Sequence, residues 1–265
     1  MDLAGKTALL SGATGGIGRA IAQALADRGA RVVLSSRKRE ALEELAGSLP
    51  GDGHRAEVAD LAEAGEAERL VAEAGEVDVL VANAGLPASG GLDGFSQDEI
   101  GRALRVNLEA PLRMTRELLP ALRERGGGHF VFVSSLAGKT ASPRSSLYAA
   151  TKFGLRGFAL ALREDLRGTE VGVSVVLPGF IRDAGMFADS GAKPPPGLGT
   201  STPEEVAAGV VRAIEQDRAE VEIAPRVQRM LAAFAHRRPE LAGRLANRGG
   251  TKVADEVARG QEDKR

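Results

Sequence analysis

A glycine-rich segment between a short apolar run and a helical run constrains the fold of this 265-residue chain most strongly. Residues 7–11 are apolar and strand-like, residues 11–18 contain four glycines, and residues 17–28 repeat Ile, Ala and Leu at helical spacing before Gly29. Glycines at such a turn let backbone N–H groups approach a pyrophosphate and let the helix pack closely on the strand. A chain with 34 glycines can contain such a cluster by accident. The strand–loop–helix context nevertheless favours a phosphate-binding loop over a flexible turn.

Strand-like and helical runs then alternate along the chain. Further strands are predicted at residues 31–35, 54–58, 77–82, 130–134, 171–177 and 220–224. A second helix is predicted at residues 40–49, and Asp60 is expected to cap a third, with Glu63 completing a capping box. This alternation predicts a single-domain α/β fold, a doubly wound parallel sheet of about seven strands with helices on both faces. The predicted domain spans residues 1–225, and residues 226–265 form a helical basic tail.

Composition excludes several kinds of site. The absence of Cys rules out disulfides, a thiol nucleophile and Cys-ligated zinc. The three histidines, His54, His129 and His236, are too widely spaced to indicate a metal site. A net charge of -1 argues against a nucleic-acid partner. The sequence shows no secretory leader and no apolar run of ~20 residues, so a cytoplasmic location is expected.

A basic cluster follows the second predicted strand at residues 35–39, which read Ser-Ser-Arg-Lys-Arg. An NAD site places a carboxylate there for the ribose 2′-hydroxyl, whereas the 2′-phosphate of NADP requires a cation. The Arg37 guanidinium is a planar fork suited to phosphate. The sequence therefore favours NADP(H) over NAD(H). The alternative is a solvated basic start to the next helix.

The only tyrosine, Tyr148, lies four residues before Lys152. Side chains at this spacing share one face of a helix. A phenol has a pKa of ~10, and a nearby cation can lower it by ~1–3 units. The pair is therefore a candidate proton shuttle, and the alternative is a core tyrosine beside a surface lysine.

These residues belong to a larger set through which the chain resembles the short-chain dehydrogenase/reductase family, from residue 3 to about residue 225. The matching motifs, in order, are Ser11-Gly12 with Gly16 and Gly18, Ala82-Asn83-Ala84-Gly85, Asn107, Ser135 thirteen residues before Tyr148, and Pro178-Gly179. The resemblance implies hydride transfer between a nicotinamide cofactor and a carbonyl or secondary alcohol. Its implied catalytic residues are Asn107, Ser135, Tyr148 and Lys152. Its implied cofactor-binding residues are Gly12, Thr14, Gly15, Gly16, Ile17, Gly18, Ser36, Arg37, Glu57, Val58, Asn83, Ala84, Gly85, Tyr148, Lys152, Pro178, Gly179 and Ile181.

The resemblance also implies a role for each catalytic residue. Tyr148 would exchange a proton with the substrate oxygen, and Ser135 would hold that oxygen. Lys152 would lower the Tyr148 pKa and bind the nicotinamide ribose, while Asn107 would order a water that connects Lys152 to solvent. The expected partners are a small-molecule carbonyl or alcohol substrate and further copies of the chain, as a homodimer or homotetramer. A non-catalytic nucleotide sensor or scaffold is the alternative function, and a sugar-nucleotide epimerase is disfavoured by the glycine spacing.

Three positions depart from the common family pattern. Glu57 stands where the family often has Asp facing the adenine, although the Val58 backbone should still serve. Gly15 replaces a basic residue common in NADP-dependent members, so the NADP preference depends on Arg37. Asp183 stands where many members use Thr to hold the carboxamide. The Asp183 carboxylate would accept from the carboxamide NH₂, be neutralised by Arg182, or be solvated.

Pro111, four residues after Asn107, has no N–H to donate to the Asn107 carbonyl. We expect a helix kink there and propose that the freed carbonyl holds the relay water. The alternative is that Pro111 begins a new helical segment.

Two segments extend the predicted site. Residues 185–202 are rich in Gly and Pro, and are expected to form a substrate lid with Met186 and Phe187 as apolar contacts, or a surface loop. The tail carries ten Lys+Arg against five Asp+Glu, with an apolar stripe at Val227, Met230, Leu231 and Phe234. We expect this stripe to dock on the parent domain or a neighbouring subunit, and contact with an anionic membrane is the less expected alternative.

Overall fold

One parallel sheet organises the computed structural model, which describes residues 1–248 and 251–262. Its strands are β1 (Thr7–Ser11), β2 (Arg31–Ser36), β3 (Arg55–Val58), β4 (Val79–Ala82), β5 (Gly128–Val133), β6 (Val171–Pro178) and β7 (Glu220–Ile223). They lie in the order β3-β2-β1-β4-β5-β6-β7, and every neighbouring pair is parallel. The predicted doubly wound α/β sheet of seven strands is therefore confirmed.

Helices connect the strands and cover both faces of the sheet. They are α1 (Gly16–Ala26), α2 (Arg39–Ser48), α3 (Glu66–Ala74), α4 (Gln97–Leu104), α5 (Ala110–Glu124), α6 (Ser146–Asp165), α7 (Gly185–Asp189), α8 (Pro203–Glu215), α9 (Arg226–Arg237), α10 (Pro239–Arg248) and α11 (Lys252–Arg259). Parallel strands require such crossovers, because each strand must return to the same end of the sheet. Helix α8 begins with a full capping box between Thr202 and Glu205.

The near-continuous apolar strands are buried because side chains from one strand enter both faces of the sheet. On β5, Phe130 and Phe132 pack into one core cluster, whereas Val131 and Val133 pack into the other. This alternation gives the sheet two separate cores, one beneath each helical layer. The carboxyl edge of the sheet is left to the loops that follow the strands.

The predicted helix cap at Asp60 is wrong. The Asp60 carboxylate instead accepts a hydrogen bond from the Ala62 N–H (3.0 Å), which closes a local turn. The chain then passes through Gly65 with φ 83°, and α3 begins at Glu66. A left-handed residue interrupts a right-handed helix, so the helix could not start at Asp60.

The strand order reverses between β1 and β4, which are neighbours in the sheet but not in sequence, so this is the topological switch point of the fold. Loops leaving these two strands run in opposite directions, so a crevice opens at their carboxyl ends. The chain leaves the sheet after β7 and continues into α9, α10 and α11. The division at residue 225 stays a prediction, and residues 249–250 and 263–265 of the predicted tail lie outside the described residues.

Candidate active site

The loop after β1 brings backbone from separate segments into close contact. Gly12 adopts φ 68°, and a Cβ placed on it would lie 2.8 Å from the Cα of Ala84. A Cβ on Gly18 would overlap the Gly12 carbonyl oxygen. Glycine at these two positions therefore allows α1 to begin directly at the carboxyl edge of β1.

The N-terminus of α1 faces this edge without a side-chain cap. Gly15 is the N-cap residue, and no acidic side chain lies in the first turn. The first N–H groups of the helix, on Gly16, Ile17 and Gly18, are the groups that an anion would bind. The preceding Thr14 is half-buried, and its carbonyl accepts from Arg19 Nε (3.4 Å). The loop therefore fits a dinucleotide pyrophosphate in its backbone and in its charge.

Asn83, which follows β4, holds the glycine loop in place. Its Nδ2 donates to the carbonyls of Ser11 and Gly12, both at 3.2 Å. The Ser11 hydroxyl in turn accepts from the N–H groups of Asn83 and Ala84, both at 3.1 Å. The side chain of Asn83 is thus engaged in positioning the loop that would carry the cofactor.

The basic cluster after β2 lies at the same edge. The Arg37 side chain is exposed and has no ion-pair partner in the described part of the chain. Next to it, Ser36 Oγ accepts from the Lys38 N–H (3.3 Å), while Arg39 is paired with Glu43 (3.6 Å). Arg37 is therefore available to an anion at this point of the edge.

Strand β3 brings two further predicted residues to the cluster, because its register places Val58 opposite Ser36. Glu57 accepts from Arg55 Nη1 (3.3 Å), so its carboxylate is already held by a cation. The Val58 carbonyl accepts from Arg69 Nη2 (2.7 Å).

Tyr148, Lys152 and Ser135 meet at the carboxyl ends of β5 and β6. Lys152 Nζ lies 5.7 Å from the centroid of the Tyr148 ring. The Ser135 hydroxyl lies near enough to Tyr148 to act on its pKa, donates to the Pro178 carbonyl (3.4 Å) and accepts from the Ala137 N–H (3.1 Å). The predicted i,i+4 pairing on one helix is present, and the serine reaches it from a separate element.

Burial shifts the pKa values of Lys152 and Tyr148 in opposite directions. Burial lowers the pKa of Lys152 to about 8, and its ammonium donates to the Val133 carbonyl (3.1 Å). Burial raises the pKa of Tyr148, while the Ser135 hydrogen bond acts to lower it. The net shift of the Tyr148 pKa is upward, opposite to the expected lowering, because the desolvation of the phenol outweighs the contacts that favour its ionised form.

Asn107 lies on a widened helical turn between α4 and α5. The turn Arg105–Glu109 is π-helical, and the Ala110 N–H bonds the Arg105 carbonyl five residues back. Pro111 lies in the first turn of α5, as the alternative interpretation predicted. The widened turn and the start of a new helical segment therefore occur together, as expected where proline interrupts the hydrogen-bond ladder.

The Asn107 side chain is fully buried and fixed at both ends. Its Oδ1 accepts from the Leu86 N–H (2.6 Å), and its Nδ2 donates to the Leu86 carbonyl (2.9 Å). A Cβ on Gly85 would lie 3.5 Å from Asn107 Oδ1 and 3.9 Å from Lys152 Nζ. Gly85 therefore marks the point where the Asn107 and Lys152 side chains converge.

The residues that follow β6 form the side of the candidate site opposite the glycine loop. Pro178 ends that strand, and Ile181 is buried in an isolated bridge with Ser201. A Cβ on Gly179 would overlap Gln228 Oε1, so this glycine accommodates α9. Asp183 has φ 68°, is exposed, and is paired with Arg182 (3.3 Å). Two of the alternatives for Asp183, pairing with Arg182 and exposure to solvent, therefore occur together, and contact with the carboxamide stays a prediction.

The predicted lid begins with α7 and covers the glycine loop. A Cβ on Gly16 would overlap the Ala184 Cβ, so the base of the lid rests on the start of α1. The Met186 Cε lies 3.1 Å from the Cβ position of Gly85, beside Asn107 and Lys152. Phe187 packs against Phe180 with ring centroids 4.5 Å apart and ring planes tilted by 35°. The lid segment thus supplies apolar groups next to the reactive side chains.

The C-terminal helix α11 contacts the same lid, which the sequence did not predict. Gln261 is buried and donates to the Met186 carbonyl (3.1 Å). Asp255 pairs with Arg144 (2.9 Å), a residue with φ 60° four positions before Tyr148. An open cavity of about 800 Å³ lies between these residues and the loop after β4, with Gly90, Asp93, Lys252 and Arg259 on its walls. These two contacts join residues that are 75 and 111 positions apart, so no local pattern could have revealed them.

Two further properties bear on the kind of site. Within residues 1–248 and 251–262, no group of three or more His, Asp or Glu side chains is arranged to hold a metal. No helix in that part of the chain is both long and apolar enough to cross a bilayer.

Comparison with known proteins agrees with this geometry. The sequence profile described as short chain dehydrogenase matches residues 6–194. The chain is 40% identical over 225 residues to the ketoacyl reductase HetN of Nostoc sp. (strain PCC 7120), covering 83% of this chain and 78% of that protein. It is 33% identical over 182 residues to the 3-oxoacyl-[acyl-carrier-protein] reductase FabG of Rickettsia conorii, covering 69% and 75%.

A solved structure is similar over most of the fold. The closed form of a serine dehydrogenase complexed with NADP+ superposes with a TM-score of 0.74 at 29% identity, covering 83% of this chain and 94% of that one. The resemblance seen in the motifs is thus supported over the whole sheet. The chain belongs to the short-chain dehydrogenase family and is an NAD(P)-binding oxidoreductase that acts on CH–OH and C=O groups.

Proposed function

We propose that the protein is an NADP(H)-dependent carbonyl reductase or secondary-alcohol dehydrogenase in which Tyr148 is the general acid and base. The convergence of Tyr148, Ser135 and Lys152, with the Lys152 ammonium reaching the Gly85 backbone, carries this proposal. A protein that only bound a nucleotide would not need a tyrosine placed beside a serine and a buried lysine at the edge of the cofactor cleft.

The proposed cofactor contacts follow from the edge of the sheet. The N–H groups at the start of α1 would bind the pyrophosphate, and Arg37 would bind the 2′-phosphate. The unpaired guanidinium of Arg37 supports NADP(H) over NAD(H), and the serine dehydrogenase that superposes on this fold holds NADP+. When bound, the nicotinamide cofactor supplies or accepts the hydride.

The chain's own groups would handle the proton and the substrate oxygen. In reduction, Ser135 donates a hydrogen bond to the carbonyl oxygen, and Tyr148 transfers its phenolic proton to the same oxygen as charge develops there. Tyr148 is left as a phenolate, which the neighbouring Lys152 cation stabilises until a proton returns. In oxidation, the phenolate accepts the alcohol proton. Asn107 would order the water that links Lys152 to solvent.

The raised pKa of Tyr148 suits the reductive direction of proton transfer. A phenol that keeps its proton at neutral pH is ready to act as an acid. The substrate is a small carbonyl or alcohol compound, and its entry would pass α7 and α11. We further propose a cytoplasmic homodimer or homotetramer formed through α5 and α6, where Phe153 is exposed on α6 beside the active site.

The decisive experiment measures NADPH and NADH oxidation against a panel of ketones, ketoacyl thioesters and ketoacids, with Tyr148→Phe as the variant. The wild type should turn over at least one carbonyl class, and Tyr148→Phe should reduce kcat by about 10²- to 10⁴-fold while NADPH fluorescence still reports binding. NADPH binding without turnover on any substrate would instead support a sensor. Unchanged kcat in Tyr148→Phe would remove the assigned role.

A further inference from the structure

The predicted apolar stripe of the tail is exposed rather than docked on the domain. On α9, Val227, Met230, Leu231 and Phe234 have relative exposures of 47%, 71%, 50% and 37%. Leu241 on α10 is also exposed at 47%. Most of the large exposed apolar side chains in the described part of the chain therefore lie within these two consecutive helices, and docking on the parent domain is wrong.

The opposite face of α9 fixes the direction of this stripe. Gln228 is buried and donates to the carbonyls of Leu198 (3.2 Å) and Gly199 (2.8 Å). Its Oε1 accepts from the Phe180 N–H (3.2 Å), and Ala232 is buried one turn later. These contacts hold the helix in one rotation, so the outward direction of the stripe is imposed by the fold.

Unpaired arginines border the stripe. At ~100° per residue, Arg226 and Arg237 lie beside it on the side away from the buried face. Arg238 ends the helix, and Arg244 follows on α10. None of these four side chains forms an ion pair within the described residues, and Glu240 is the only acidic residue between positions 226 and 244.

We infer that α9 and α10 dock on an anionic lipid bilayer, lying in its interface. The apolar stripe would enter the headgroup–acyl boundary, and the flanking guanidinium groups would meet lipid phosphates. The positive charge favours an anionic bilayer over a second copy of the chain as the binding partner. A symmetric contact through α9 would bring two unpaired arginine clusters together, and these would repel each other. The surface lies outside the residues assigned to catalysis, so the inference is independent of the proposed reaction.

The absence of tryptophan from the chain allows a direct test. Met230→Trp places a single fluorophore at the most exposed point of the stripe, and Leu92→Trp places one at an exposed apolar position elsewhere. With vesicles of phosphatidylglycerol and phosphatidylcholine at 1:3, the Met230→Trp emission should shift to shorter wavelength. Pure phosphatidylcholine should leave it unchanged, and Leu92→Trp should not respond to either vesicle.

Sedimentation with the same vesicles tests the charge. Arg226→Gln/Arg237→Gln should weaken binding at least tenfold, since each arginine near the surface contributes about fivefold. Arg212→Gln/Arg218→Gln, an equal charge change at exposed positions on α8 and the turn after it, should have no effect. Addition of 0.5 M NaCl should release the wild type. Each variant should keep the wild-type melting temperature.

Two results would overturn the inference. One is the absence of wild-type binding to anionic vesicles at low salt. The other is equal binding by the two double-arginine variants. If Leu231→Glu dissociates an oligomer in light scattering while vesicles do not bind, the stripe is a protein interface instead.

Discussion

Lys152 Nζ lies 5.7 Å from the Tyr148 ring centroid, yet its hydrogen bond goes to the Val133 carbonyl. The two side chains are therefore neighbours on one helix face, but the lysine ammonium makes its hydrogen bond to the backbone and not to the tyrosine. The lysine lies close enough to stabilise a phenolate electrostatically, while the backbone carbonyl holds the ammonium in place. Burial also lowers the Lys152 pKa to about 8, a value that a pH profile of activity can detect.

The pH profile of carbonyl reduction should reveal Lys152. Its pKa is lowered to about 8 by burial, so the side chain is a cation below this pH and loses its proton as the pH rises through it. We expect kcat/KM to be level below pH 8 and to fall above it. In Lys152→Arg the fall should disappear at lower overall activity, because a guanidinium stays charged. If kcat/KM of that variant falls in the same way above pH 8, the fall belongs to the titration of another group.

Arg37→Asp should alter the cofactor preference. Loss of a charge-assisted contact to the 2′-phosphate should raise the KM for NADPH about 10- to 100-fold, while the KM for NADH changes less than threefold. Initial-rate kinetics with both cofactors provide the measurement, and Arg212→Asp at an exposed position of α8 serves as the control for net charge. Equal losses with both cofactors would contradict the assignment of Arg37.

The glycine loop contains a matched pair of positions. Gly18→Ala should destabilise the protein by about 2 kcal/mol and abolish measurable cofactor binding, because the new Cβ would overlap the Gly12 carbonyl. Gly15→Ala should change the free energy of unfolding by less than about 1 kcal/mol, because its Cβ would lie 3.6 Å from that oxygen. Urea denaturation and NADPH fluorescence would check both. Similar effects of the two variants would argue against close packing at Gly18.

Contact between the tail and the lid can be tested at Gly260. A Cβ there would overlap the Ser190 backbone, so Gly260→Ala should displace α11, speed hydrogen exchange in α7 and change the substrate KM. Gly243→Ala on α10 is the control, because a Cβ at that position would meet no atom within 4 Å. If α7 exchanges at the same rate in Gly260→Ala and the wild type, the lid does not depend on α11.

His129 should make stability sensitive to mild acid. Its side chain is buried against Ser174 (2.8 Å), and burial lowers its pKa to about 4 from 6.5. Between these values the unfolded chain binds a proton that the folded chain does not, so stability falls as the pH decreases. Urea unfolding at pH 7 and pH 5 should differ by about 2 kcal/mol from this group. His129→Gln should reduce that difference, and an unchanged difference would exclude His129 as its source.

Local patterns were sufficient to predict the strands. The apolar run before Gly12 and the helical run after Gly18 fixed where β1 and α1 meet, because strand, turn and helix preferences act between near neighbours. The pairing of Tyr148 with Lys152 followed from helical periodicity alone. The start of α3 was predicted wrongly because Asp is common both at helix N-caps and in turns. The left-handed conformation of Gly65 ends the turn that Asp60 forms, and α3 begins after it.

The amino-acid sequence by itself determined the order of strands and helices, the glycine loop and the chemical groups at the edge of the sheet. Tertiary structure decided how readily two of those groups exchange a proton, since burial lowers the pKa of Lys152 and raises that of Tyr148. It also decided that α11 contacts α7 and that the stripe on α9 faces outward. These outcomes depend on contacts between distant parts of the chain, and periodicity along the sequence gives a helix an apolar face without specifying what that face meets.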